Sequence, residues 1–278
     1  MRQFVAEGQP DSDGCLVVTG KKFHYLSAVL RLSVGDMVYV RLPDASLQQM
    51  TLSRLDAGEK RIVLTIAGER AGAAGTNSAL PVLRGPEIPL WLFQFAAKPP
   101  KMDLIVRQAA ECGVGVVVPV AGSFCQAGCV ESARKKAAPD DGRWRRIITE
   151  AREQSGSPVQ TELSPCVTLA QACALWQKHL AETGATGLAV ALYEQCEGSL
   201  ALHEAVARAS AEGRPLAAAL MVGAEGGIAP DEIAYIRQHG FVLVHFATNI
   251  LRCETAAIYG LASLQTALTE LEIWQFKK

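Results

Sequence analysis

Met221-Val222-Gly223-Ala224-Glu225-Gly226-Gly227 and, further on, Asn249-Ile250-Leu251-Arg252-Cys253-Glu254-Thr255-Ala256 are the two stretches from which the fold can be read. The apolar run 216–222 reads as a buried strand, and three glycines follow it within five residues. Glycine at such a strand end lets backbone approach a ligand where any side chain would clash. The second stretch repeats the design: residues 241–246 are strand-like, empty into a short loop, and the loop opens a long helix. Two neighbouring strands ending in ligand-sized loops form a crevice at the edge of an α/β sheet, so the pair predicts a cofactor pocket. Seen in isolation, the glycine segment also fits a tight turn with no ligand. No Lys-Ser/Thr follows it and no GxGxxG occurs, which disfavours nucleotide phosphate binding.

Working outward, residues 79–278 alternate apolar runs with amphipathic stretches, the pattern of a parallel sheet covered by helices. Strands are expected at 91–97, 114–120, 188–193 and 216–222, and helices at 102–112, 143–154, 200–211 and 253–271. Gly113 suits the end of one helix. Pro230, Asp231 and Glu232 suit the start of another, with Gly240 closing it. The first 72 residues differ. Short β-favouring runs at 15–18, 37–41, 48–54 and 61–67 are separated by Gly, Asp and Pro, with a helical spacing at 24–32, and they predict a small β-barrel with one helix. Residues 71–78 have linker chemistry.

At 278 residues, two domains are expected rather than one. Hydrophobic residues make up 49% of the chain and mean hydropathy is +0.15, which argue for a filled core. No apolar run approaches the roughly 20 residues that cross a bilayer, and residues 1–14 lack the apolar core of a signal peptide, so no membrane association and a cytoplasmic location are expected. The eight cysteines are scattered without a CxxC pair, so reduced thiols are expected and no metal. A net charge of −1 counts against a nucleic-acid partner. Locally the balance changes: six basic residues lie between Arg134 and Arg146, either a solvated face or an RNA-binding surface. Within that run, Trp144 with Ile147, Ile148 and Ala151 has the spacing of a buried helix face.

GAEGG, the Pro-Asp-Glu helix start and NILRCETA resemble the GPEGG and LGxRILRxETA motifs of RsmE-type 16S ribosomal RNA uridine-N3 methyltransferases, of the SPOUT class. His24 with Val29-Leu30-Arg31-Leu32 and Gly35-Asp36 is similar to the family's N-terminal signature, and residues 98–120 and 143–155 resemble its central blocks, so nearly the whole chain is covered. The resemblance implies an α/β fold: a SPOUT-like, trefoil-knotted parallel-sheet methyltransferase domain at 79–278, preceded by a PUA-like β-barrel RNA-binding domain at 1–72. It also implies S-adenosyl-L-methionine as cofactor, 16S rRNA in the 30S subunit as substrate, and a homodimer built on the last helix.

Carried over residue by residue, the resemblance places the donor against Met221, Val222, Gly223, Gly226 and Gly227 in the first loop, and Phe246, Ala247, Ile250 and Leu251 in the second. Phe95 and Ala96 would close a third side. Arg252, Glu225 and Glu254 are the catalytic candidates. Arg252 could steady charge developing on a uracil oxygen, and one of the glutamates, or less readily His24 from a partner copy, could take the N3 proton. Glu254 and Arg252 are equally explained as a helix-start charge and its salt-bridge partner. His24, Arg31, Lys98 and Arg143 are expected to contact RNA, along with Lys21 and Lys22, which equally fit a solvated turn.

The chain departs from the family pattern at Ala224 (usually Pro), Ala247 (Gly), Asn249 (Arg), His245 (Leu), Cys253 (Thr) and Gln108 (Lys). Lost basic groups bear on the RNA surface more than on a pocket contacted mainly through backbone. Two alternatives therefore stand beside the first: a SPOUT methyltransferase with another RNA target, and a non-catalytic RNA-binding or ribosome assembly factor.

Overall fold

A computed structural model describes residues 3–66, 87–139, 142–211 and 213–270. The expected linker at 71–78 lies outside these. By contacts the chain divides into two units, Met1–Leu83 with Arg152–Pro158, and Arg84–Ala151 with Val159–Lys278.

The first unit holds β1 (Phe4–Val5), β2 (Cys15–Val18), α1 (Gly20–His24), β3 (Met37–Arg41), β4 (Leu47–Asp56) and β5 (Arg61–Ile66). Its sheet runs β1-β3-β4-β5-β2, with β1 parallel to β3 and the other pairs antiparallel. β1 and β2 remain two ends, so among the described residues the sheet is a half-barrel rather than a closed ring. A register shift between Leu52 and Arg54 marks a bulge in β4, a device that bends a strand over its core. That core is Phe4, Leu16, Leu26, Val40, Met50, Leu52, Ile62 and Leu64. The helix expected at 24–32 begins earlier, and the chain passes from α1 into a π-turn at Tyr25–Val29 before Arg31 takes a left-handed backbone at φ 56°. Gln3 fixes the Arg152–Pro158 segment by donating to the Arg152 and Ser157 carbonyls, and Lys22 pairs with Glu153 at 2.7 Å.

The second unit is a parallel sheet between helices. Its elements are β6 (Leu90–Phe95), α2 (Pro99–Glu111), β7 (Val116–Ala121), α3 (Ala127–Ala137), α4 (Gly142–Ser155), β8 (Glu162–Leu163), β9 (Val167–Thr168), α5 (Leu169–Thr183), β10 (Gly187–Leu192), α6 (Leu202–Ser210), β11 (Ala217–Val222), α7 (Pro230–Gln238), β12 (Val242–Val244) and α8 (Cys253–Thr269). The strand order is β12-β10-β11-β6-β7-β8, every pair parallel, and β9 also pairs with β7. Alternation sends Leu90, Leu188, Val190, Ala218 and Leu220 into the core shared with α2, α4 and α8. Phe93, Phe95, Ala189, Ala219 and Met221 go to the opposite core with α5 and α7.

Two close approaches set the geometry around β11. A Cβ on Gly260 of α8 would lie 2.8 Å from Leu192 Cδ1 and 3.0 Å from Leu220 Cδ2, so the absent side chain is what lets α8 lie tight on β10 and β11. α7 starts at Pro230, where the missing N–H costs nothing, and the buried Glu232 carboxylate accepts from Ala229 N–H at 3.1 Å and from Ser123 N–H at 2.8 Å. One carboxylate thus caps α7 and anchors the loop after β7.

Candidate functional site

Because β11 lies between β10 and β6, and β10 between β11 and β12, the carboxyl ends of β10, β11 and β12 are neighbours. The loops leaving them wall a crevice of about 510 Å³, a size that suits a small organic ligand. Its sides are Tyr193–Glu194 after β10, Gly223–Ile228 after β11 and His245–Cys253 without Ala247 after β12, with Lys101 entering from α2.

The glycine loop is tight for a steric reason. A Cβ on Gly223 would meet the Gly227 carbonyl carbon at 2.9 Å and its oxygen at 3.0 Å, so backbone faces backbone across the turn. Gly227 N–H donates to Ala224 O at 3.0 Å and Gly227 itself sits at φ 76°, where a side chain is strained. From below, the fully buried Gln94 donates through Nε2 to Gly223 O at 3.1 Å and to Phe95 O at 3.0 Å, pinning the loop to the end of β6. The glycine loop is therefore held in place by backbone contacts, and the lack of side chains at Gly223, Gly226 and Gly227 lets a ligand approach its backbone closely.

Charge enters at one corner. Lys101 Nζ lies 2.9 Å from Glu254 Oε2 and 3.5 Å from Glu225 Oε1. Glu225 also accepts from the Lys98 backbone N–H at 3.1 Å. Partial burial pushes Glu254 up, but the Lys101 hydrogen bond, its own backbone N–H and the Cys253 thiol outweigh this and hold it below the ordinary carboxylate range. Lys101 is raised in turn, chiefly by Glu254. Burial first, then the hydrogen bond to Glu254, pushes the Cys253 thiol up to about 12, so it stays protonated. Arg252, the residue before α8, lines the crevice and is exposed, and its guanidinium makes no ion pair among the described residues. The expected Arg252–Glu254 pair is thus replaced by Lys101–Glu254, because α2 packs against α8 and delivers Lys101 to the helix start.

Of the residues expected to hold a donor, Val222, Gly223, Gly226, Gly227, Phe246, Ile250 and Leu251 line the crevice. Met221 does not. It is wholly buried, because alternation on β11 turns it into the core with α5 and α7. Phe95 and Ala96 are also absent from the wall, each 1% exposed, since β6 flanks β11 on the side away from β10 and β12. Their place as support falls to Gln94, which the sequence did not single out. Ala247 is exposed but outside the lining.

The residues expected to contact RNA fall in both units. His24 and Arg31 are exposed in the first unit, and Lys98 is exposed beside Glu225. Arg143 is exposed as well, yet its guanidinium is engaged by Asp103, which also accepts from Lys136 Nζ at 3.0 Å and from Trp144 Nε1 at 2.8 Å. Burial alone would raise Asp103, but these three donors hold it at about 2. Trp144 is fully buried, as its spacing suggested. No group of three or more metal-binding side chains occurs, and no helix is long and apolar enough to cross a membrane, among the described residues.

A parallel sheet whose adjacent strand ends make a glycine-walled crevice, with an arginine that makes no ion pair among the described residues and two carboxylates beside one lysine at its rim, is the framework of an α/β enzyme acting on a ligand at its strand ends. The comparisons narrow the class. The model of the RNA methyltransferase domain family matches residues 84–265, and the chain belongs to that family. It is 26% identical to ribosomal RNA small subunit methyltransferase E of Mycobacterium bovis, over 94% of this chain and 90% of that protein. Among solved structures it resembles a putative methyltransferase from Legionella pneumophila in complex with S-adenosylmethionine, at TM-score 0.73 and 26% identity, covering 96% of each chain. It shares its fold with ribosomal RNA small subunit methyltransferase E from Neisseria gonorrhoeae bound to S-adenosylmethionine, at TM-score 0.73 and 21% identity, covering 96% of this chain and 97% of that one.

Proposed function

We propose that this protein is an S-adenosylmethionine-dependent methyltransferase acting on N3 of a uridine in the 16S rRNA of the small ribosomal subunit. The observation that carries the reading is the crevice at the ends of β10, β11 and β12. It is sized for a nucleoside-like donor, walled on one side by the glycine loop from Gly223 to Gly227, and bordered by Arg252, which makes no ion pair among the described residues. Similarity to proteins solved with S-adenosylmethionine supports the same ligand here. The residues present fit it: Gly223, Gly226 and Gly227 keep one wall free of side chains, and Val222, Phe246, Ile250 and Leu251 give apolar surface for an adenine ring.

When bound, the donor supplies an electrophilic methyl group on a sulfonium. The chain's own residues do the rest. The glycine loop and the loop after β12 hold the ligand and exclude water, and Arg252 offers donors to a uracil oxygen as N3 loses its proton. Glu225 and Glu254 are the acceptors within reach of that corner. Alignment of the methyl group with N3 supplies part of the rate, and loss of the N3 proton to a carboxylate supplies the rest.

To the same proposal belong trefoil threading of the chain around the crevice, a PUA-like RNA-binding role for the first unit through His24 and Arg31, contacts from Lys98 and Arg143, and pairing of two copies through α8. Support for the last is the half-exposed Tyr259 of α8, stacked edge-on against Phe246 at 4.9 Å. A different RNA target is favoured by Asn249, which leaves the crevice rim without the arginine of the family pattern.

Calorimetric titration with S-adenosylmethionine, followed by mapping of methylated uridines in rRNA from cells lacking the protein, tests this reading. Micromolar binding and loss of one N3-methyluridine from 16S rRNA are expected. No binding at millimolar donor overturns the enzyme and leaves the assembly factor. Loss of a different mark relocates the target.

A further inference from the structure

We infer that Lys101 separates the work of the two crevice carboxylates, keeping Glu254 as its lasting ionic partner and leaving Glu225 to take the proton from the uracil N3. The inference rests on the function proposed above and assigns roles within that site. Lys101 enters at the start of α2, and three donor–acceptor contacts converge near it. Glu254 Oε2 is committed: it receives Lys101 Nζ at 2.9 Å and the Cys253 thiol at 3.3 Å, and the carboxylate is 18% exposed. Glu225 is 31% exposed, lies 3.5 Å from the same ammonium, and uses only Oε1, on Lys101 and the Lys98 N–H. Its Oε2 has no partner among the described residues.

The proton balance favours the same division. In the step considered, the N3–H bond breaks, its electron pair stays on N3 and the proton moves to Glu225 Oε2. Lys101 then keeps its short contact with ionised Glu254, and no charge is stranded. Were Glu254 to accept the proton, even on Oε1, its charge would be lost and the mostly buried Lys101 ammonium would be left with only the ionised Glu225 at 3.5 Å. The charged and titratable groups facing Lys101 are Glu225 from the glycine loop, and Glu254 and Cys253 from α8. Asp103 on its own helix is occupied by Arg143, Lys136 and Trp144.

The test uses the whole protein with and without donor. In the free protein, carbon-13 NMR of labelled glutamate side chains follows Glu254, which should titrate below the ordinary range in wild type, move up in Lys101→Met, and return in Lys101→Arg. In the kinetic arm, Glu225→Gln should lose the acid limb of the kcat profile and about 100-fold in kcat. Glu254→Gln should keep the limb. An unmoved Glu254 titration in Lys101→Met, or an acid limb lost in Glu254→Gln and kept in Glu225→Gln, overturns the inference while the methyltransferase reading stands. Wild-type protein that binds donor but methylates no rRNA overturns both.

Discussion

Replacing Gly223 by alanine is the sharpest perturbation of the crevice, because it adds one methyl group where only backbone can yield. The new Cβ would stand 2.9 Å from the Gly227 carbonyl carbon, 3.0 Å from its oxygen and 3.0 Å from Ile228 Cγ1, all inside ordinary contact. Gly223 is not in the left-handed region, so alanine is conformationally free there and the effect is steric alone. Relief requires the turn to open, which breaks the 3.0 Å Gly227–Ala224 hydrogen bond and moves Gly223 O off Gln94. Overpacking of this kind costs about 1–3 kcal/mol. With the lost loop contacts, donor affinity should fall at least about tenfold. Gly128→Ala is the control: it lies in α3 with nothing within 4 Å of its added Cβ, so it should be neutral or stabilising by up to about 1 kcal/mol. Urea unfolding and calorimetric titration with S-adenosylmethionine read both quantities. A Gly223→Ala protein as stable and as tight-binding as wild type would refute the claim that backbone closeness shapes this pocket.

Arg252→Ala should leave donor affinity within about threefold and cut kcat by about 100-fold, measured by transfer of labelled methyl to small subunits, since its exposed guanidinium makes no ion pair among the described residues. Asp103→Ala should cost about 2–3 kcal/mol in urea unfolding, as the indole N–H of buried Trp144 and two cations lose their acceptor. Because folded Asp103 sits near 2 against an ordinary 3.8, its contribution is fully present above about pH 4 and fades as pH drops through 2. Wild-type stability should therefore fall between pH 4 and 2, and the variant's should fall less. Thiol labelling followed by mass spectrometry should find exposed Cys196 modified first, whereas Cys253 at about 12 and Cys166 and Cys173 at about 11 react only after unfolding.

Features carried by local chemistry were legible in the sequence. The run ending at Val222 announced a buried strand, and Pro230 with Asp231 and Glu232 announced a helix start, because each is set by residues adjacent in the chain. The two-residue strands β8 and β9 escaped notice because so short a run has no period to detect. The same reading passes over α5, although Thr168 and Gln171 form a capping box at its start, and takes α3 only as part of a basic cluster. At the site, the glycine loop could be read because its demand is on its own backbone. Lys101 could not: its partners lie 124 and 153 positions along the chain, Glu225 and Glu254, and only the packing of α2 on α8 brings them together. Gln94 was hidden for a related reason, since an amide inside an apolar strand gives no sign that it anchors a loop from another strand.

A crystal grown with S-adenosylmethionine addresses the central claim most directly. The account predicts donor density enclosed by residues 223–228 and 246–251, with the methyl group facing the corner where Arg252 stands. Density bound elsewhere on the protein, or a crevice that stays empty at saturating donor, would contradict it.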